Sequence, residues 1–276
     1  DVAGDVPGAV SGSAAADLPV DRGLDALAQL LDDPAADAAQ RGRAIAEAAD
    51  RMDAGFGDSR AGVRMVLHDA RGSLSERELR ILTLEGQGKA GDRSLIVFDS
   101  PMDQRGTTLL TWNHAGADDD QWLYLPALTR VKKIAARNRS GPFVGSEFAF
   151  EDLTSEQLDN FRWHHLDTVD CGPLRCYRVE REPVESWSGY SRQLAWYDAQ
   201  ALRLVRVEYH DRKGSHVKTL VADDWRQSGD GYWRAGYMDM RNLQTGRRTE
   251  LIWGDHAFDT GLGEDDFTPT ALRRMR

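Results

Sequence analysis

Cysteine is nearly missing from this chain of 276 residues: there are two, Cys171 and Cys176. That count rules out a disulfide-dense scaffold and a four-cysteine zinc site. No apolar run approaches the roughly 20 residues a helix needs to span a bilayer. Positive charge is in deficit, with 35 Lys and Arg against 45 Asp and Glu and a net charge of −10. Binding to a phosphate backbone wants the opposite balance, so nucleic acid is not an expected partner. Catalytic signatures are also missing. The sequence has no His-Glu-x-x-His, no Gly-x-Ser-x-Gly elbow, no Walker loop and no Gly-x-Gly-x-x-Gly opening a helix. The seven histidines are scattered, and the adjacent His164 and His165 would point to opposite faces of a strand. No metal, cofactor or catalytic residue is expected.

Acids come in clusters: Asp118–Asp120, Glu151–Asp152, Asp223–Asp224 and Glu264–Asp266. Paired carboxylates can run glycoside hydrolysis, and Asp-rich turns can bind calcium. Each cluster falls at an expected turn or strand end, so the reading is solvated acids. The two cysteines flank the turn signal Gly172–Pro173. A hairpin there sets them opposite each other within disulfide reach. A disulfide is expected; the alternatives are two free thiols, or zinc lacking a second cysteine pair. A disulfide would fit an oxidising compartment.

What is present is strand patterning. From residue 59 apolar residues alternate with polar ones, and turn signals recur every 8–14 residues or so, as in a barrel or sandwich. Up to thirteen strands can be marked out. The short links favour antiparallel neighbours. Ahead of them, residues 36–52 carry Ile45, Ala48, Ala49 and Met52 at helical spacing and read as a helix. Residues 1–35 read as a flexible N-terminal segment with a possible short helix around Leu24, Leu27, Leu30 and Leu31; residues 36–276 read as a single β domain. The fold class is mainly antiparallel β: a sheet of about 11–13 strands, too long to stay flat, strongly curved with a few helices covering the concave face.

The eight tryptophans lie mostly on expected strands, as core packing or as a lining for acyl chains. On most strands one parity is apolar, giving one wet face and one apolar face. The candidate lining is Met65, Leu67, Leu79, Ile81, Leu95, Val97, Trp122 and Tyr124. A second feature is the acid-free run holding Arg130, Lys132, Lys133, Arg137 and Arg139. It reads either as a solvated β-arm or as a docking surface for an acidic partner or an anionic headgroup.

Residues 122–134, WLYLPALTRVKKI, are followed after a basic spacer by residues 145–153, GSEFAFEDL. This combined pattern resembles the LolA-like family, the outer-membrane lipoprotein-sorting relatives of LolA and LolB. From about Ala39 to Met275 the chain is similar to that family in strand order and spacing. The resemblance implies an open (incomplete) curved β-barrel with helices as a lid over an apolar cavity, and a non-catalytic periplasmic carrier of a lipid or lipid-anchored protein between inner and outer membranes. It also implies an exporter of the resistance-nodulation-division (RND) type as a partner. A start at Asp1 would follow from a removed secretory signal or from a trimmed recombinant chain; export is expected. No cysteine near the N-terminus offers a site for lipidation. The contrasting expectations are a periplasmic interaction scaffold with a filled barrel, or a secreted hydrolase with convergent carboxylates.

Overall fold

Period-two patterning from residue 58 onward produces strands whose apolar residues share one face. The computed structural model describes residues 24–86, 90–228 and 231–275. Residues 1–23 of the expected flexible N-terminal segment lie outside them. Two helices come first, α1 (Leu24–Asp32) and α2 (Ala38–Asp53). The first half of the sheet is β1 (Asp58–His68), β2 (Leu74–Leu84), β3 (Ala90–Ser100), β4 (Thr108–His114), β5 (Asp120–Leu125) and β6 (Arg130–Lys133). The second half is β7 (Phe161–Cys171), β8 (Leu174–Pro183), β9 (Tyr190–Asp198), β10 (Leu204–Asp211), β11 (His216–Gln227), β12 (Trp233–Asn242) and β13 (Arg248–Phe258).

All thirteen strands form one antiparallel sheet in the order β6-β5-β4-β3-β2-β1-β13-β12-β11-β10-β9-β8-β7. The first and last strands therefore pair in the middle, with Met65 opposite Leu251. The free edges are β6 and β7, so the barrel is open along that seam. The edge strand β6 is four residues long and carries Arg130, Lys132 and Lys133, all exposed. Short, charged edges resist pairing with another chain. Cys171 and Cys176 are joined across the β7–β8 hairpin with their Cα atoms 5.9 Å apart, as the Gly172–Pro173 turn suggested.

Helix α2 starts with a capping box. The Asp37 carboxylate accepts the Gln40 N–H at 2.8 Å, and the Gln40 side chain accepts the Asp37 N–H at 2.9 Å. The helix lies directly on β7. A Cβ at Gly42 would sit 2.7 Å from the backbone nitrogens of both His164 and His165, so glycine here permits close approach at some cost in helix propensity. Ile45, Ala46 and Ala48 pack with Trp163, Val179, Ala195 and Tyr197.

The connection between β6 and β7 does not run over the surface. It folds back into the concave side as a plug. Phe143 and Phe148 are buried among Met65, Leu67, Leu79, Phe98, Met240 and Leu251. Phe143 lies 5.7 Å from Phe98 and 5.6 Å from Phe150, ring centre to ring centre. The second half of the pattern that resembles the family, residues 145–153, is therefore largely interior.

On β2–β5 the outer face is covered as well. Leu262, Phe267 and Leu272 of the C-terminal segment close over Leu82, Leu95, Val97, Leu110 and Tyr124. The Trp112 indole N–H donates to the Phe267 carbonyl at 2.6 Å. The expected division into one wet and one apolar face fails on these strands because a second layer covers them.

Candidate functional site

Successive hairpin turns alternate between the two ends of the sheet, and the two ends are finished differently. The plug occupies the end where β1 finishes and β13 begins. It is held by buried polar contacts. Lys218 donates to Asp152 at 2.7 Å and to the Glu147 carbonyl at 3.2 Å. The Tyr190 hydroxyl donates to Asp152 at 2.9 Å, and the Ala149 N–H donates to the same carboxylate at 2.7 Å. The Lys218 ammonium also sits about 5 Å over the rings of Tyr190 and Tyr209 (5.0 and 5.1 Å). Glu151 accepts from the Ser188 hydroxyl at 2.6 Å and the Gly189 N–H at 2.9 Å. Burial pushes the Glu151 carboxyl up to about 7, with the neighbouring Asp152 charge adding to burial and the Ser188 and Gly189 hydrogen bonds opposing it. Glu151–Asp152, expected as solvated acids, is instead an interior pair, because its segment enters the barrel.

At the other end the inner face is open. A cavity of about 420 Å³ lies under the C-terminal half of α2. Its floor includes Ala61 of β1, Ile81 of β2, Met238 of β12 and Trp253 of β13; Met52 and Phe56 stand over it, and Trp225, Trp233, Leu158 and Leu204 line the sides. The space exists because α2 makes its main contacts with β7 and β8 and not with β1, β2, β12 or β13.

Charged groups ring this apolar space. Arg203 donates to Asp198 at 2.7 Å and lies 4.6 Å over the Trp233 ring. Arg234 pairs with Asp53 and lies 5.4 Å over Phe56. Asp50 and Asp92 are raised by burial, and each also has a neighbouring carboxylate acting in the same direction. His256 stacks on Trp253 at 5.3 Å. Burial, then the Arg234 charge, lowers its imidazole to about 4, so it is neutral at neutral pH. The indole N–H of Trp253 is buried with no acceptor among the described residues. Apolar walls with a few placed polar groups suit an amphiphile or a small apolar molecule.

The eight candidate lining residues divide three ways. Ile81 borders the cavity. Met65, Leu67 and Leu79 belong to the plug-end core. Leu95, Val97, Trp122 and Tyr124 are on the outer face, with the C-terminal segment over them. The run from Leu95 to Phe98 is buried at every position, and alternation cannot assign a face where both are covered. Sequence reasoning missed Met238, Met52 and Phe56; the clustering of tryptophans on the last three strands was the available signal. The basic run divides too. Arg130, Lys132, Lys133 and Arg137 are exposed, and Lys133 pairs with Asp120 at 2.6 Å. Arg139 is buried, 4.8 Å over the Trp187 ring, with its charge directed at Asp119, whose carboxyl burial raises to about 6.

An open antiparallel barrel with an interior strap and a helix-roofed apolar cavity is the architecture of a binding protein. Comparison with known proteins agrees. A family model described as an uncharacterized protein family matches residues 90–274. An outer membrane lipoprotein-sorting protein domain from Vibrio parahaemolyticus shares 44% identity at a TM-score of 0.83, covering 86% of this chain and 100% of that one. A DUF1329 family protein from Desulfovibrio piger shares 29% identity at a TM-score of 0.80, covering 86% and 99%. A LolA superfamily protein from Nitrosomonas europaea has the same fold at 17% identity and a TM-score of 0.65, over 82% and 97%. No curated protein matches the chain. The chain belongs to the LolA-like, outer-membrane lipoprotein-sorting family. Among the described residues no helix is long and apolar enough to cross a membrane.

Proposed function

We propose that this protein is a periplasmic carrier. It binds a lipid, or the acyl chain of a lipid-anchored protein, in the cavity under α2 and moves it between inner and outer membranes. The observation that supports this reading is the cavity itself: one end of the inner face is filled by the chain's own side chains, and the other holds about 420 Å³ of largely apolar space. That volume falls in the range of ligand pockets, about 300–1,000 Å³, and suits one acyl chain better than several. Burying about fifteen methylenes at about 0.8 kcal/mol each gives about 12 kcal/mol; association costs of about 4 kcal/mol leave about 8 kcal/mol, a scale that corresponds to micromolar affinity. No covalent step is involved. The exposed Arg130, Lys132, Lys133 and Arg137 would serve as docking cations for an inner-membrane partner, for which the family resemblance suggests an RND-type exporter.

Protein isolated from the periplasm of a Gram-negative host should carry lipid visible by native mass spectrometry, or bind a fluorescent fatty acid at micromolar concentration. Apo protein with no fatty-acid binding would overturn the carrier. The filled plug end would then favour the second reading, a periplasmic interaction scaffold without lipid cargo.

A further inference from the structure

The plug end also carries the surface that least resembles the rest of the molecule. Among the described residues seven large apolar side chains are exposed: Leu74, Met102, Leu128, Leu166, Val184, Val221 and Leu243. Five of these, all but Leu166 and Val221, fall at turns of the plug end. Four occupy turns that neighbour one another in sheet order: Leu128 between β5 and β6 (66% exposed), Met102 between β3 and β4 (79%), Leu74 at the β1–β2 turn (59%) and Leu243 between β12 and β13 (54%). Adjacent turns are two strands apart, about 10 Å, so four tips span about 30 Å. Single apolar tips at that spacing, separated by polar turn residues, form no contiguous apolar patch. They suit a surface into which each inserts separately, as at the headgroup boundary of a bilayer.

The charge at this rim is opposite in sign to the molecule's −10. Arg71, Arg105 and Arg130 on these turns and Lys213 on the β10–β11 turn are exposed, against the exposed acids Asp69 and Asp103, and none of the four cations is in an ion pair among the described residues. Between the β1–β2 turn, the β12–β13 turn and the plug lies a cleft of about 360 Å³ lined by His68, Leu74, Arg77, Arg247 and Arg248. Arg77 is buried, donates to the Val144 carbonyl at 2.5 Å, and has no carboxylate within ion-pair distance among the described residues. Arg248 pairs with Asp239 and Glu250 behind the cleft, which leaves Arg77 as its arginine without a carboxylate among the described residues, and the two acids lining the cleft are already engaged. Asp69 accepts the N–H groups of Arg71 and Ser73, both at 2.8 Å, and Glu147 takes the Asn242 amide at 2.7 Å and Arg247 at 3.1 Å. At the opposite end Asp118 and Asp259 are exposed instead.

We propose that the plug end is a docking surface for an anionic phospholipid membrane, with Leu74, Met102, Leu128 and Leu243 entering the headgroup layer and the arginine cleft around Arg77 holding a lipid phosphate. The acyl-chain cavity, at the other end of the strands, then faces away from that membrane. Cation-driven attraction of this kind is weakened by salt.

The full chain should co-sediment with phosphatidylglycerol-containing vesicles and not with pure phosphatidylcholine vesicles, and should be released at about 0.5 M salt. The paired change Met102→Ser with Leu243→Ser, and separately Arg71→Glu with Lys213→Glu, should each lower vesicle binding by about tenfold or more. All four side chains are exposed, so folding should be retained. Arg77→Gln should lose the preference for phosphatidylglycerol if it folds. Fatty-acid uptake should be unchanged in the two double variants, which separates this surface from the cargo cavity. Equal binding to both vesicle types, no sedimentation with either, or vesicle binding indifferent to both double variants would overturn the proposal. Thermal stabilisation by inorganic phosphate without vesicle binding would overturn it as well, leaving a free-anion site.

Discussion

The two ends of the inner face begin from similar residues and differ in what lies across from them. At the plug end Met65, Leu67 and Leu79 meet Phe143 and Phe148, which arrive on a segment fixed by Lys218, Asp152 and Tyr190. At the cavity end Ile81, Met238 and Trp253 face α2, a helix set tightly on β7 through Gly42 and so held off the strands opposite. A packed interior tolerates little change in shape or charge. An open one can accept a ligand. The difference depends on where two covering segments are anchored, and not on the hydrophobicity of the strands.

The sharpest way to break this comparison is to place the same charge at both ends. Leu67→Asp would bury an unpaired carboxylate in the packed end and should unfold the protein, at a cost of several kcal/mol. Ile81→Asp, half-buried at the cavity wall, should keep the fold and abolish fatty-acid uptake. Thermal denaturation and a binding titration on both variants decide the matter. If both unfold, the cavity is packed in solution; if both stay folded, the plug end is not.

Removing the cation from the plug is next in size. Lys218→Met leaves the Asp152 carboxylate buried without its partner and should cost about 3–5 kcal/mol. A urea midpoint shift equivalent to less than about 1 kcal/mol would mean that the aromatic packing of Phe143 and Phe148 holds the plug without it.

Glu151 gives the smallest effect and sharpens the comparison through pH. Its carboxyl titrates near 7 in the folded protein against an ordinary 4.5. The folded chain therefore keeps a proton that the unfolded chain has lost, and this contribution to stability falls as pH rises from about 4.5 to about 7. The span corresponds to at most about 3.5 kcal/mol. Glu151→Gln keeps a carbonyl to accept from Gly189 and should flatten that part of the pH profile. Urea unfolding of both proteins at about pH 5 and about pH 7.5 provides the check; parallel profiles would show that the group titrates normally.

Much of the architecture could be read from residue order. Alternation in β1 and β2, short turns and the Gly172–Pro173 hairpin led to a curved antiparallel sheet, the family resemblance made it an open barrel, and the helical spacing of Ile45, Ala48 and Met52 led to α2. The site was legible only in part. Leu95 to Phe98 is apolar at every position, with no polar residue to mark a face, so parity was lost there. The depth of Glu151–Asp152 was hidden because nothing local tells an acid pair in a loop over the surface from one in a strap through the interior. Its partner Lys218 lies 66 positions away. The cavity depends on distances between α2 and four strands, which come from tertiary packing and have no signature along the chain.

The pairing of β1 with β13 bears on how the chain reaches this form. Within β1–β6 and within β7–β13 each strand pairs with its sequence neighbour, so two local meanders can form early by hairpin closure. The β1–β13 ladder, in which Met65 meets Leu251, is the contact of longest reach and carries the largest loop-closure entropy. Phe143 and Phe148 need side chains from both meanders, and so gain their full burial only when that ladder has zipped. The connection between the halves is thus set in place last, as the two arcs close around it.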